Sequence, residues 1–230
     1  ILIGLVGSEM CIRDRRRTHR IKPFLGFFAM RQSSLSPAAL QRRIACALGQ
    51  SGCDLVLRNA RIFNVFTKAF VDHCDVAIAD GIIVNVGPQL AVHGKSEIDL
   101  ENAILVPGFI DAHVHIESSM LRPTEFARLI LSKGTTTIVA DPHEIANVCG
   151  LEGIRFMLQD AKDAAVDIRF MLPSCVPATP FETSGASLTA DELRALIDDP
   201  DVLGLAEVMN VPAVPVSYTH LRAHETDQYL

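Results

Sequence analysis

From residue 103 to residue 208, short apolar runs alternate strictly with longer amphipathic stretches, and that alternation limits the fold more than any other property of the chain. Residues 103–106 read as a buried run. Residues 123–132 read as a helix with Pro123 near its start and Lys133-Gly134 as its stop, and 135–140, β-branched and apolar, as a second strand. A helix over 150–165, a third strand over 168–172, a helix over 189–197 and a fourth strand over 202–208 complete the series. Strands separated in this way by helices run parallel and are joined by right-handed crossovers. The fold class is therefore α/β.

Polar residues gather where each apolar run ends. The first leads into Pro107-Gly108-Phe109-Ile110-Asp111-Ala112-His113-Val114-His115-Ile116-Glu117-Ser118-Ser119. Side chains two apart on a strand share a face, so Asp111, His113 and His115 line one side. Neutral imidazole is the commonest side-chain metal ligand, and two on one face can share a cation while Asp111 accepts the other ring N–H. Two ordinary surface histidines at a strand end are the alternative.

The second run ends in Asp141-Pro142-His143-Glu144, where Pro142 turns the chain out of the sheet and leaves three ionisable side chains at the rim. The same spacing also reads as a helix cap, with Asp141 and Glu144 three apart ahead of an apolar stretch. The third run ends in Pro173-Ser174-Cys175-Val176-Pro177; no base is spaced beside Cys175, which reads as a buried thiol. The fourth carries Glu207 among Leu205, Ala206, Val208 and Met209. A carboxylate in such company is either paired or costly, and a metal would pair it; a solvent-facing glutamate is the alternative.

The string PGFIDAHVHIESSM resembles the first-strand metal motif of the amidohydrolase superfamily, and its ESSM tail, DPHEIANV and GLAEVMN are similar to the adenine deaminase branch. The resemblance covers roughly residues 36–214. It implies a TIM-type (β/α)8 barrel preceded by a small β-sandwich, with the working groups at the C-terminal ends of the strands. Such a barrel takes about 250 residues, so residues 103–214 are expected to form a truncated barrel of about its first four strands, inactive alone. An independent four-strand α/β layer is the structural rival.

The resemblance further implies that His113, His115 and Glu207 bind metal, with Glu207 bridging two divalent ions, manganese or iron in preference to zinc. Glu144, and after it His143, would move protons; Asp111 would support the ligands; Glu117, Ser118, Ser119, Ser174 and Cys175 would line the substrate pocket. The reaction implied is hydrolysis of adenine, a small purine base, to hypoxanthine and ammonia, in a parent compatible with a homo-oligomer. Another amidohydrolase acting on a cyclic amide or an N-acetyl sugar, and a non-catalytic metal-binding half-barrel, are the rival readings.

Ahead of the barrel, Ser36-Pro37 opens a short helix over 36–49 in a segment running from 16 to 53. Residues 54–102 form part of the sandwich, with strands over 54–57, 61–65, 74–78 and 82–86 and a hairpin signal at Asp80-Gly81. The strings GLVGSEMCIRDR and VSYTHLRAHET resemble translated sequencing adapters, so residues 1–15 and 215–230 are expected to be non-native, and His19, His220 and His224 carry no functional weight. A net charge of −6 argues against a nucleic-acid partner, and no apolar stretch approaches the roughly 20 residues of a bilayer span. Six cysteines without C-x-x-C pairing suit a reducing cytoplasm.

Overall fold

The computed structural model describes residues 2–6, 9–13, 36–179 and 181–211; the expected segment 16–35 and the expected non-native end 215–230 lie outside them. Strands β1 (Leu2–Val6) and β2 (Glu9–Arg13) pair antiparallel. The chain divides into two units, Ile1–Phe109 and Ile110–Leu230.

In the first unit, helix α1 (Pro37–Ala47) begins as its sequence dictates: Ser36 accepts the Ala39 N–H at 3.2 Å and Pro37 occupies the first turn, where its missing N–H costs nothing. The chain then forms β3 (Cys53–Asn64), β4 (Ala69–Ala79), β5 (Ile82–Pro88), β6 (Gly94–Asp99) and β7 (Ile104–Leu105), all in one sheet. The expected strands over 54–57 and 61–65 are a single strand with an irregular register around Asn59, which takes φ 54° and donates its N–H to the Asp75 carboxylate at 3.0 Å. Asp80 and Gly81 both have positive φ, 53° and 71°, as a two-residue primed hairpin turn requires. The strand period of two sorts the core. Leu55, Leu57, Val76 and Ile78 pack with Leu100 and Leu105, whereas Val56, Ala77 and Ala79 pack with Val92 and with Cys46 of α1.

One apolar run belongs elsewhere than its hydrophobicity suggested. Residues 103–106 were expected to open the first strand of the parallel sheet, but Ile104–Leu105 pairs with Arg61 and Ile62 of β3, and Leu105 is buried in the first unit's core. The parallel sheet starts only after Pro107-Gly108, with β8 (Phe109–Val114). Periodicity marks a run as buried; it does not say which sheet buries it.

Strand β8 is followed by a 3-10 turn (Glu117–Ser119), α2 (Pro123–Leu131), β9 (Thr135–Ala140), α3 (His143–Ala161), β10 (Asp167–Leu172), α4 (Ala190–Arg194) and β11 (Val202–Leu205). The sheet order is β8-β9-β10-β11, with β9, β10 and β11 parallel, so each crossover advances by one strand in the manner of a (β/α)8 barrel. Ile138, Ile168, Phe170 and Leu172 of the sheet pack with Ala127 of α2 and with Ile154, Met157 and Leu158 of α3. Helix α3 starts at His143, ahead of the expected 150, and its helical path breaks at Gly150 (φ 60°, ψ −143°) and resumes. Helix α4 opens on the capping box of Thr189 and Glu192 but is shorter than the expected 189–197, and β11 ends at Leu205. Among the described residues no helix is long and apolar enough to cross a membrane.

Candidate metal centre

The rim of the parallel sheet is built one strand end at a time. His113 lies on β8 and His115 just past its end, and their Nε2 atoms face each other at 3.2 Å. His115 Nδ1 lies 3.0 Å from the main-chain carbonyl of Asp141. A carbonyl only accepts, so Nδ1 carries the proton and Nε2 keeps its lone pair, turned toward His113. Two nitrogens each about 2.1 Å from one ion stand roughly 3.0–3.4 Å apart, which the observed spacing matches. An N–H···N hydrogen bond would match it too, and a third partner stands beside both rings.

That partner is Glu207. Its Oε1 is 3.4 Å from His115 Nε2, 3.8 Å from His113 Nε2 and 4.0 Å from His143 Nδ1. The expected apolar burial of Glu207 is not observed: its side chain is 44% exposed, standing beyond the end of β11, and its flanking residues are only half-buried. Its orientation, not burial, ties it to the histidines. Ser174, buried after β10, donates its hydroxyl to the Glu207 carbonyl at 2.7 Å and so fixes the backbone from which that carboxylate extends. Cys175 is buried with its sulfur 3.4 Å from the Ser174 hydroxyl.

The end of β9 bears on the cap reading of Asp141-Pro142-His143-Glu144. Helix α3 does begin there, with Pro142 at the cap, yet no side chain of that residue caps it, and the Asp141 carboxylate turns instead to His143 Nδ1 at 3.1 Å. The cap is supplied by Glu117, which accepts the Ile145 N–H at 3.2 Å. Glu117 was expected in the pocket wall; burial raises its pKa, against the hydrogen bonds from its own and the Ile145 N–H. Ser118 donates to Glu144 Oε1 at 2.9 Å, and Glu144 Oε2 lies 3.3 Å from His115 Nδ1. Ser119 turns inward to the Ile116 carbonyl at 2.6 Å. Asp111, expected to take a ring N–H, accepts the main-chain N–H of His113 at 3.3 Å, because two residues along an exposed strand end the backbone is the nearer donor.

Two sets of donors result. Ligand atoms of His113, His115, Asp141 and Glu207 all lie within 4.8 Å of one another, and so do those of His115, His143 and Glu144. Imidazole nitrogens and carboxylate oxygens are suitable donors for a divalent first-row cation. Burial pushes the His115 pKa down, but the Asp141 carbonyl and the nearby carboxylates of Glu144, Asp141 and Glu207 raise it overall. Burial likewise raises that of Asp141, against the opposing pull of His143. Sequence reasoning put Asp141 at the rim through the proline after it, but gave it no role there beyond that of a helix cap.

The amidohydrolase family pattern matches residues 104–224. The adenine deaminase of Clostridium acetobutylicum is 53% identical over 175 residues, which are 76% of this chain and 30% of that protein. Adenine deaminase 2 of Desulfotalea psychrophila is 51% identical over 180 residues, 78% of this chain and 31% of that protein. The Geobacillus kaustophilus adenine deaminase is 51% identical over 177 residues, 77% of this chain and 30% of that protein. The chain thus spans 30–31% of the length of these curated relatives.

Proposed function

The chain belongs to the amidohydrolase family, and on that footing we propose that the enzyme built on it hydrolyses adenine to hypoxanthine and ammonia. The observation that carries this is the convergence of His113 Nε2, His115 Nε2 and Glu207 Oε1 at the rim of the parallel sheet. These three would hold the cation. The fuller reading has two divalent ions, manganese or iron, which Glu207 would help to hold; nitrogen and oxygen donors without thiolate suit those metals.

When bound, a divalent cation supplies a water acidified to near neutrality and a Lewis acid for the ring. The side chains do the rest. His115 presents a bare Nε2 because the Asp141 carbonyl claims its other ring proton. Glu144, anchored by Ser118 and next to His115, is placed to accept a proton and return it to the departing amine. His143, held by the Asp141 carboxylate, is the second group able to carry a proton there. Ser174 keeps the Glu207 backbone in register. The substrate is a small purine base.

The test is to graft residues 36–211 in place of the matching stretch of the Clostridium acetobutylicum enzyme and to measure ammonia released from adenine. Turnover is expected, with bound metal, and His113→Ala in the graft is expected to lower it by at least roughly a thousandfold and release the metal. A folded, metal-loaded graft that leaves adenine intact would sink the assignment.

A further inference from the structure

Asp141 is 1% exposed, and three of its polar groups are engaged. Its N–H donates to the Val114 carbonyl at 2.9 Å, its own carbonyl accepts from His115 Nδ1 at 3.0 Å, and its Oδ2 accepts from His143 Nδ1 at 3.1 Å. Its Oδ1 is buried and has no hydrogen-bond partner. A carboxylate removed from water needs compensation on both oxygens, and one imidazole supplies it on one side only.

The two hydrogen bonds do not by themselves require an aspartate. The restraint on His115 comes from a main-chain carbonyl, which any residue would provide. A neutral amide oxygen would accept from His143 equally well. What only an aspartate brings is the ionised, unpartnered oxygen, and this side chain lies within 4.8 Å of the ligand atoms of His113, His115 and Glu207. Opposed ligands about 2.0–2.2 Å from a cation stand up to roughly 4.4 Å apart, so a few tenths of an ångström of contraction would close the set. Two carboxylates, Asp141 and Glu207, would then balance the charge of a divalent ion.

We propose that Asp141 is a fourth protein ligand to the cation held by His113, His115 and Glu207. This rests on the metal centre assigned above and adds to it a buried carboxylate from the end of the second strand. Asp141 thereby joins the β8 and β9 strand ends twice, once through its backbone and once through the metal.

The test is titration of the 230-residue chain with Mn(II), reading free Mn(II) by electron paramagnetic resonance, for the wild type, His113→Ala and Asp141→Asn. Asparagine keeps the acceptor for His143 and removes the charge. Asp141→Asn is expected to weaken binding at least about tenfold with unchanged far-UV circular dichroism. Wild-type affinity in Asp141→Asn overturns the fourth ligand and leaves the centre standing. No binding by the wild type, or undiminished binding by His113→Ala, overturns the centre and the fourth ligand with it. Should Asp141→Asn not fold, Mn(II) electron-nuclear double resonance is measured on the chain carrying 13Cγ-aspartate and Asp111→Asn, which removes the neighbouring aspartate. A strongly coupled carboxylate carbon is expected, and only weak couplings would refute the proposal.

Discussion

The Glu117 carboxylate accepts the main-chain N–H of Ile145 at 3.2 Å, so the turn after the first strand of the parallel sheet closes the first turn of the helix after the second. That N–H is one of the four a helix start leaves without an internal partner. Glu117→Ala is expected to cost about 1 kcal/mol, a fall of roughly 2–4 °C in the thermal midpoint. The variant is also expected to lower kcat in the graft, since His143 and Glu144 ride on that turn. Glu117→Gln retains an acceptor and should restore most of both. An unchanged midpoint in Glu117→Ala would show that the contact does not hold the helix start.

Gly153 faces the same turn. A Cβ there would sit 2.8 Å from the Ile145 carbonyl oxygen, a main-chain atom that can yield only by moving residues 143–149. Gly153→Ala is expected to destabilise by about 1–3 kcal/mol, although alanine is the better helix former, because the clash outweighs a propensity gain of about 1 kcal/mol. Urea unfolding measures the sign, and a stabilised variant would mean that the helix start adjusts freely.

Asp160, 8% exposed on α3, holds the start of α2. It accepts the Thr124 N–H at 2.9 Å and hydroxyl at 3.1 Å and forms an ion pair with Arg122. Asp160→Ala is expected to cost about 2–3 kcal/mol by stranding these donors, whereas Arg122→Ala, at a far more exposed position, should cost less than about 1 kcal/mol. Chemical denaturation of the two variants gives the ranking; the reverse order would refute this account.

Acid should weaken the first unit. Hydrogen bonds from Arg58 and the Gly94 N–H pull the Glu97 pKa down to about 2. The Asp54 carboxyl, pushed up by burial, is held below the ordinary range by Arg42, the Asp80 N–H and Lys95. A depressed folded pKa gives stability that is present above the unfolded value, about 4.3 for glutamate, and lost as pH falls toward the folded one. The stability difference between wild type and Glu97→Gln is therefore expected at pH 7 and should shrink between about pH 4 and pH 2. A difference that persists undiminished to pH 2 would assign it to packing.

Much of this was legible in the residues. The alternation of apolar runs gave β9 and β10 and the parallel sheet, and the HVH string placed both histidines where they converge. Ser36-Pro37 gave the start of α1, and the expected start at 189 lies one residue from that of α4, because capping is a local interaction that a few residues decide. What escaped was whatever depends on a partner far along the chain. The division of residues 103–110 between two sheets, the capping of α3 by Glu117 and the contact of His115 with the Asp141 carbonyl are all settled by neighbours 26 or more positions away. The exposure of Glu207 was misjudged for a related reason: its apolar neighbours were read as its surroundings, and β11 ends at Leu205, two residues before it.

The break at Gly150 separates what α3 carries from what α3 supports. With the helical path interrupted there, the Asn147 carbonyl accepts from the Ser184 hydroxyl at 2.7 Å and from the N–H groups of Gly185 and Ala186 at 2.8 and 3.1 Å. Residues 143–149 are thus a short lever gripped at the front by Glu117 and at the rear by the connection after β10, while the rest of α3 stays packed on the sheet. His113 and Glu207 take their places from strands β8 and β11, outside that lever. Changes around Ser184 and Gly185 would therefore act first on His143 and Glu144, the proposed proton carriers, and only through them on His113 and Glu207, the proposed metal ligands.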